Sequence, residues 1–377
     1  MTAIHPLLDR ERQIKARQYE KEKRILGLLN LALSLAVLVG FYYCGLSAWL
    51  AQLFPHKPLF WVFLVYVCVF QFVVFVSGLP LNLYSGYIHE HRWDFSNQTV
   101  KSWLWERIKS FFVSVFIFTV LLGLLFWLWA YYPQSWWWMA GLVMAAVSAV
   151  FATLFPVVIF PLFNTYTPIK DRELTDSLDK ILKKGGLKSS GFFMEDMSRQ
   201  TKKENAFLAG LGRTRRVILG DNLLENMSLP EIESIIAHEV GHFKHKHIWK
   251  QMALGTIQQL SVFFLLDFLM GELSVSFLQS TRANLTLLPI FVILAGGISG
   301  VFASPINLWL SRHFEKQADL YALTNVPDSH ALARALAGLA DRNLSNAYPS
   351  WWVKMFFYSH PPIGERLLLA ERWKKPL

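Results

Sequence analysis

The residues best suited to chemistry in this chain stand together as His238-Glu239-Val240-Gly241-His242. On a helix, positions i and i+4 lie one above the other on a single face, so His238 and His242 can both ligate one metal ion. Glu239, beside the first histidine, is placed to take a proton from a water in the open coordination position. The implied chemistry is hydrolysis by activated water, with no covalent intermediate. A solvated, histidine-rich helix face is the ordinary alternative, because Lys244-His245-Lys246-His247 follows directly. Catalytic zinc normally has three protein ligands and keeps one position for water. His245 and His247 are candidates for the third by proximity. Geometry disfavours His245, since three ligands along one straight helix would spread the outer pair over about 10 Å. A ligand from another element is therefore needed.

The segment that must position the motif, 164–251, reads as mixed α/β. Asp171 to Lys184 puts Leu174, Leu178 and Leu182 on one helical face, and Gly185-Gly186 stops it. Gly191–Met197, Asn205–Leu208 and Arg216–Leu219 read as short strands, the last two joined by the turn-rich GLGRTR segment. Ser228-Leu229-Pro230-Glu231 is a capping box with proline in the first turn. It opens a helix expected to run through the metal motif to His247.

Around this segment the composition is that of a membrane protein. Of 377 residues, 53% are apolar and 17% charged, against about 45–50% and about 25% in soluble domains. The apolar excess is gathered into blocks that can cross about 30 Å of hydrocarbon: Ile25–Leu53, Phe60–Tyr84, Phe111–Tyr132, Trp136–Phe163, Met252–Met270 and Leu287–Leu310. A soluble multidomain enzyme is excluded, and no nucleic-acid partner is called for. Cys44 and Cys68 lie inside apolar blocks, which leaves neither a disulfide framework nor a cysteine zinc site. The first block follows a charged segment and is too long for a signal-peptide core, so it reads as a retained span.

The formal charge of +10 also sorts by loop. Lys and Arg number 7 before the first span, then 1, 4, 0, 15 and 1 in successive loops, and 9 after the last. The positive-inside rule reads this alternation as six helices with both termini cytoplasmic. Trp136, Trp137 and Trp138 then fall at the outer interface or in the core. The sixth span returns the chain to the side that carries the histidine motif, in Ser311-Arg312-His313-Phe314-Glu315-Lys316-Gln317-Ala318-Asp319. Glu315 is the candidate third ligand there. Asp319, at i+4, is suited to a hydrogen bond that orients a ligand.

Taken with these blocks, the sequence resembles the type 1 CAAX prenyl proteases, the sterile-24 type of integral-membrane zinc metallopeptidase. The likeness runs in order through KARQYEKEKR, GLPLNLYSGYIHEHRWDFSNQT, ENAFLAGLGRTRRVILGDNLL, AHEVGH, SRHFEKQAD and YSHPPIGER. The resemblance implies His238, His242 and Glu315 as ligands of one Zn2+ per chain, Glu239 as general base and Asp319 as the partner behind a ligand. It further implies that Asn205 and Ala206 lie on an edge strand that pairs with an extended substrate, and that His360 and Arg366 face the scissile carbonyl. Members commonly have seven spans around a water-filled chamber, and the segment matching the usual first span is missing here. Gln258, Gln259 and Asp267 fit a polar chamber lining, and a structural acid paired within the bundle is the other reading of Asp267.

The expected fold is thus mainly α: a polytopic membrane protein of about six transmembrane helices around a chamber, with a cytoplasmic α/β zincin-like module. Residues 1–163 hold the charged segment and four spans, 164–251 the α/β region, 252–310 two spans, and 311–377 a helical region that completes the zinc site. The expected activity is zinc-dependent endoproteolysis of membrane-associated or lipidated peptides. Membrane-protein quality control and a non-catalytic chamber that binds lipidated or translocating chains are the alternatives. A bacterial inner membrane is the preferred location. Lys374-Lys375-Pro376-Leu377 matches a dilysine signal and keeps the endoplasmic reticulum as the alternative.

Overall fold

The computed structural model describes residues 4–210, 215–273 and 285–373. Residues 374–377, and most of the loop expected to join the last two strands, lie outside the described residues. Asp9 accepts a hydrogen bond from the Arg12 main chain and starts α1, Arg10–Tyr43. Gly45, at φ 76°, breaks the chain before α2, Leu46–Gln52, so the single block expected over Ile25–Leu53 is two helices. A φ in that region costs a glycine little. Next, α3 (Leu59–Leu83) continues through a π turn at Tyr84–Ile88 into α4 (His89–Arg92). Capped by Thr99, α5 (Val100–Tyr131) begins well before its apolar block. The next helix, α6 (Trp136–Leu154), gives way to π and 3-10 turns carrying Pro156 and Pro161, as prolines without an N–H donor require.

The α/β segment follows. It comprises β1 (Tyr166–Pro168), α7 (Arg172–Lys184), β2 (Phe192–Glu195), β3 (Ala206–Ala209), β4 (Arg216–Gly220), α8 (Asp221–Asn226) and α9 (Leu229–Lys244). The sheet order is β1-β2-β4-β3, with β2 parallel to β4 and the other pairs antiparallel, so β3 is an edge. Leu174, Leu178 and Leu182 of α7 pack with Val217 and Leu219 of β4 and Ile236 of α9. The capping box at Ser228 and Glu231 is formed.

Then α10 (His247–Leu273) enters the bundle beside α6, and α11 (Leu288–Ile298) passes through a π turn into α12 (Ser304–Asn325). Among the described residues, five helices are long and apolar enough to cross a membrane: Arg10–Tyr43, Leu59–Arg92, Val100–Tyr131, His247–Leu269 and Leu288–Asn325. The apolar α6 is shorter. The chain ends in α13 (Ser329–Arg342), α14 (Trp351–Phe357) and α15 (Ile363–Arg372). Ala237, Leu323, Leu332, Leu336 and Leu367 form the core that joins α9, α12, α13 and α15.

The polar first half of α1 fastens this C-terminal region. Gln13 donates to Asp341 at 2.9 Å and accepts from the Ala347 N–H at 3.0 Å, and Glu20 accepts from the Asn346 N–H at 3.0 Å. The start of α1 and the C-terminal helices therefore sit at one end of the bundle. Toward the other end, the Trp136 indole donates to Asp267 at 2.5 Å. Of its two expected roles, Asp267 thus takes that of the paired structural acid. Gln258 and Asn307 exchange hydrogen bonds of 3.1 and 2.9 Å beside a cavity of about 880 Å3, which Gln259 also lines. That polar lining at membrane depth fits a chamber.

Candidate metal centre

The helix opened by the capping box carries His238 and His242 with their Nε2 atoms 3.1 Å apart. From α12, Glu315 reaches both rings, with Oε2 3.2 Å from His238 Nε2 and Oε1 3.3 Å from His242 Nε2. The ligand atoms of these three residues all lie within 4.8 Å of one another. Glu315 Oε2 is buried without a hydrogen bond. Without a metal, a proton on His238 Nε2, 3.2 Å away, is what offsets the cost of burying that oxygen, and a cation between the three side chains would take that proton's place. The donor set, two imidazoles and a carboxylate, suits zinc.

Helix α9 approaches α12 this closely because residue 241 is glycine. A Cβ there would lie 2.9 Å from Ala318 Cα and 3.1 Å from Ala318 O. Any side chain would push α12 outward and carry Glu315 with it.

The candidate ligands are held from behind. Asp319 Oδ1 is 2.9 Å from His238 Nδ1 and is itself gripped by Arg366, whose Nε and Nη2 donate to the two carboxylate oxygens at 2.8 and 2.6 Å. Arg366 Nη2 lies 3.8 Å from Glu315 Oε2. Arg366 is 8% exposed and Asp319 1%, so the pair is buried. The second ligand has a partner that helical spacing did not reveal. The helix expected to continue to His247 ends at Lys244 with His245 as its cap, and Lys246 adopts φ 55°. That left-handed residue turns His247 back onto His242, Nδ1 to Nδ1 at 3.0 Å, while His247 Nε2 pairs with Gln317 Oε1 at 2.8 Å. With His247 donating to Gln317, its Nδ1 accepts the His242 proton, which frees His242 Nε2 for a metal. His245 stacks on His247 and stays out of the cluster.

Glu239 faces a cleft of about 480 Å3, together with His238, Glu315, Asn205, Ala206, His360 and Arg366. Burial raises its pKa, and it accepts a main-chain hydrogen bond from Leu208. The Gly220 N–H donates to the Asn205 carbonyl at 3.0 Å. Antiparallel alternation then turns the main-chain groups of Ala206 and Leu208 to the free edge of β3. The Asn205 side chain covers the Ala206 N–H at 3.0 Å. His360, in the loop before α15, has Nε2 3.3 Å from Glu315 Oε1 on the open side, and Ser359 Oγ is 2.8 Å from its Nδ1. Of the residues singled out in the sequence, His360 is thus at the mouth and Arg366 behind the ligands. His247, Gln317, Gly241 and Leu208 join the site on structural grounds.

Protonation opposes metal loading in a defined pH range. Burial works against a charged His238, yet Asp319 and Glu315 overcome it and raise its pKa to about 9. In the metal-free protein the imidazolium therefore persists well above the usual histidine range, and a metal must displace that proton. Affinity is expected to fall about tenfold for each pH unit below 9. Chelator competition between pH 6 and pH 9 checks this, and a flat profile overturns it.

A helical membrane bundle with these ligands and a flanking strand edge is the architecture of an integral-membrane metallopeptidase. The model of peptidase family M48 matches residues 168–374, and that of the CAAX prenyl protease N-terminal region, five membrane helices, matches residues 2–165. The chain belongs to peptidase family M48. It is 29% identical to the uncharacterized metalloprotease YhfN of Bacillus subtilis over 95% of this chain and 85% of that one. The CAAX prenyl protease 1 homolog of Arabidopsis thaliana is 31% identical over 78% of this chain and 69% of its own. The crystal structure of S. mikatae Ste24p superposes with a TM-score of 0.86 at 25% identity, covering 98% of this chain and 92% of that one.

Proposed function

We propose that this metallopeptidase uses one zinc ion per chain to cut extended peptides presented at the membrane, with prenylated C-terminal segments as the substrate class. The observation that carries the reading is the shared cleft: two of the three clustered ligands, His238 and Glu315, line it together with Glu239 and with Asn205 and Ala206 at the start of the free edge of β3. When bound by His238, His242 and Glu315, zinc supplies Lewis acidity toward a carbonyl and a lowered pKa for water. The substrate adds as a strand at the Ala206 main chain, freed by displacement of the Asn205 side chain, and at the Leu208 carbonyl, the Leu208 N–H staying with Glu239, so that main-chain bonds read conformation rather than sequence. Glu239 takes the proton of the attacking water and passes it to the leaving amine. His360, with Ser359 donating to Nδ1, presents Nε2–H toward the developing oxyanion. Arg366 and Asp319 hold His238 in register.

Prenylated substrates are proposed because the relatives in Saccharomyces cerevisiae and Arabidopsis thaliana are CAAX prenyl proteases by name. The loop charges support both termini on the cytoplasmic side, and the Bacillus relative, matched over 95% of this chain, favours a bacterial cytoplasmic membrane. Paired peptides of one sequence, farnesylated and unmodified, test the substrate. Preferential cleavage of the farnesylated peptide is expected. Equal cleavage of both would move the reading to general turnover of membrane proteins.

A further inference from the structure

One face of α12 changes character along its length. Ile306 and Trp309 are exposed, and His313 and Lys316, which continue the same face at helical spacing, are exposed as well. Just before α12, Phe302 extends the apolar part. Beside this face lies α14, only seven residues long, with Trp351 62% and Trp352 64% exposed. It cannot cross a membrane, and its indoles are left bare.

Between α12, α14 and α15 runs a groove of about 700 Å3, bounded by Trp309, Trp351, Arg312, Lys316 and Arg372. Two other cations at the groove are neutralised: Lys354 by Glu365 at 2.6 Å, and Arg366 by Asp319. Arg312, Lys316 and Arg372 have no carboxylate within ion-pair distance among the described residues. Arg312 is fixed in place by donating to the carbonyls of Lys354 and Tyr358 at 3.0 and 2.6 Å. An apolar helix face that ends in indoles and passes into unpaired cations has the polarity of a leaflet, acyl chain to phosphate.

We propose that this groove holds one anionic glycerophospholipid from the leaflet nearest the metal centre, its chains along Ile306 and Trp309 and its phosphate among Arg312, Lys316 and Arg372. Charge selects the headgroup: a zwitterionic lipid would bring an ammonium against three unpaired cations, whereas an anionic one meets them with net negative charge. The bound lipid also covers the indole of Trp351 and so seats α14. Because α14 leads directly into Ser359-His360, the lipid steadies the loop at the mouth of the cleft.

The full-length protein, reconstituted in vesicles of equal phosphatidylglycerol and phosphatidylcholine and released for native mass spectrometry, tests this. Phosphatidylglycerol is expected to be enriched on the wild type. Lys316→Gln and Arg372→Gln each lower that enrichment about fivefold, and together about 25-fold. Trp351→Ser lowers retention of both lipids alike. Metal content reports folding, and Arg372→Gln alone decides the matter if Lys316→Gln, next to a ligand, loses metal. Equal retention of the two lipids on the wild type, or enrichment unchanged by the charge variants, overturns the proposal. So does complete displacement of phosphatidylglycerol by inorganic phosphate, which would mark a site for the free anion.

Discussion

Glu239→Gln is expected to lower peptide cleavage by about 10²–10⁴-fold and to leave the metal content of the purified protein unchanged. The amide keeps the shape of the side chain and can still accept the main-chain hydrogen bond from Leu208, so the cleft and the edge of β3 stay as they are. What it loses is basicity. None of the three candidate ligands is altered, which is why metal analysis and turnover should separate. Single-turnover cleavage of a quenched-fluorescence peptide, run alongside elemental analysis, reads both quantities. Cleavage within about tenfold of wild type would remove Glu239 from the role of base. Loss of metal would instead give it a structural role in the cluster.

Much of this site could be read from the sequence because its signals are local. The capping box and the i, i+4 histidines are properties of one helix, and α9 forms as those residues dictate. The strand pair before it is likewise a short-range feature. Glu315 required a longer step, from span count to the side of the membrane on which α12 emerges, and the loop charges supplied it. Residues that act across distance were silent. His247 was a candidate third ligand by proximity, and the left-handed Lys246 instead swings it onto His242 Nδ1, outside the ligand cluster. Gln13 and Glu20 gave no sign that they clamp residues 341–347, because contacts more than 300 positions apart leave no periodicity. Gly241 was hidden inside the motif itself, where any residue is compatible with two histidine ligands. Its reason is the approach of Ala318 on another helix. The three-residue β1 was too short, and too proline-bearing, to carry a strand pattern.

Arg366→Met is expected to destabilise the protein by about 3–5 kcal/mol and to weaken metal binding as well. The substitution leaves Asp319, 1% exposed, with no cation except the ring of His238. An unpaired buried carboxylate costs more than the intact pair contributes, so the sign does not depend on the net value of the salt bridge. Removing both partners, as in Arg366→Met with Asp319→Leu, eliminates the orphaned charge and should recover most of the melting temperature. Metal affinity should not recover, because His238 Nδ1 then lacks the acceptor that orients the ring, a loss of about 10–100-fold in such sites. Thermal melting of the two variants, combined with chelator competition, therefore distinguishes two roles for this guanidinium. If Arg366→Met melts like wild type and binds metal normally while cleavage is lost, Arg366 acts on the substrate carbonyl, as the family resemblance implies. If stability and affinity fall together and only stability is rescued, its work is to hold Asp319, and through it His238, and the cation facing the substrate is left to His360 at the open side of the cleft.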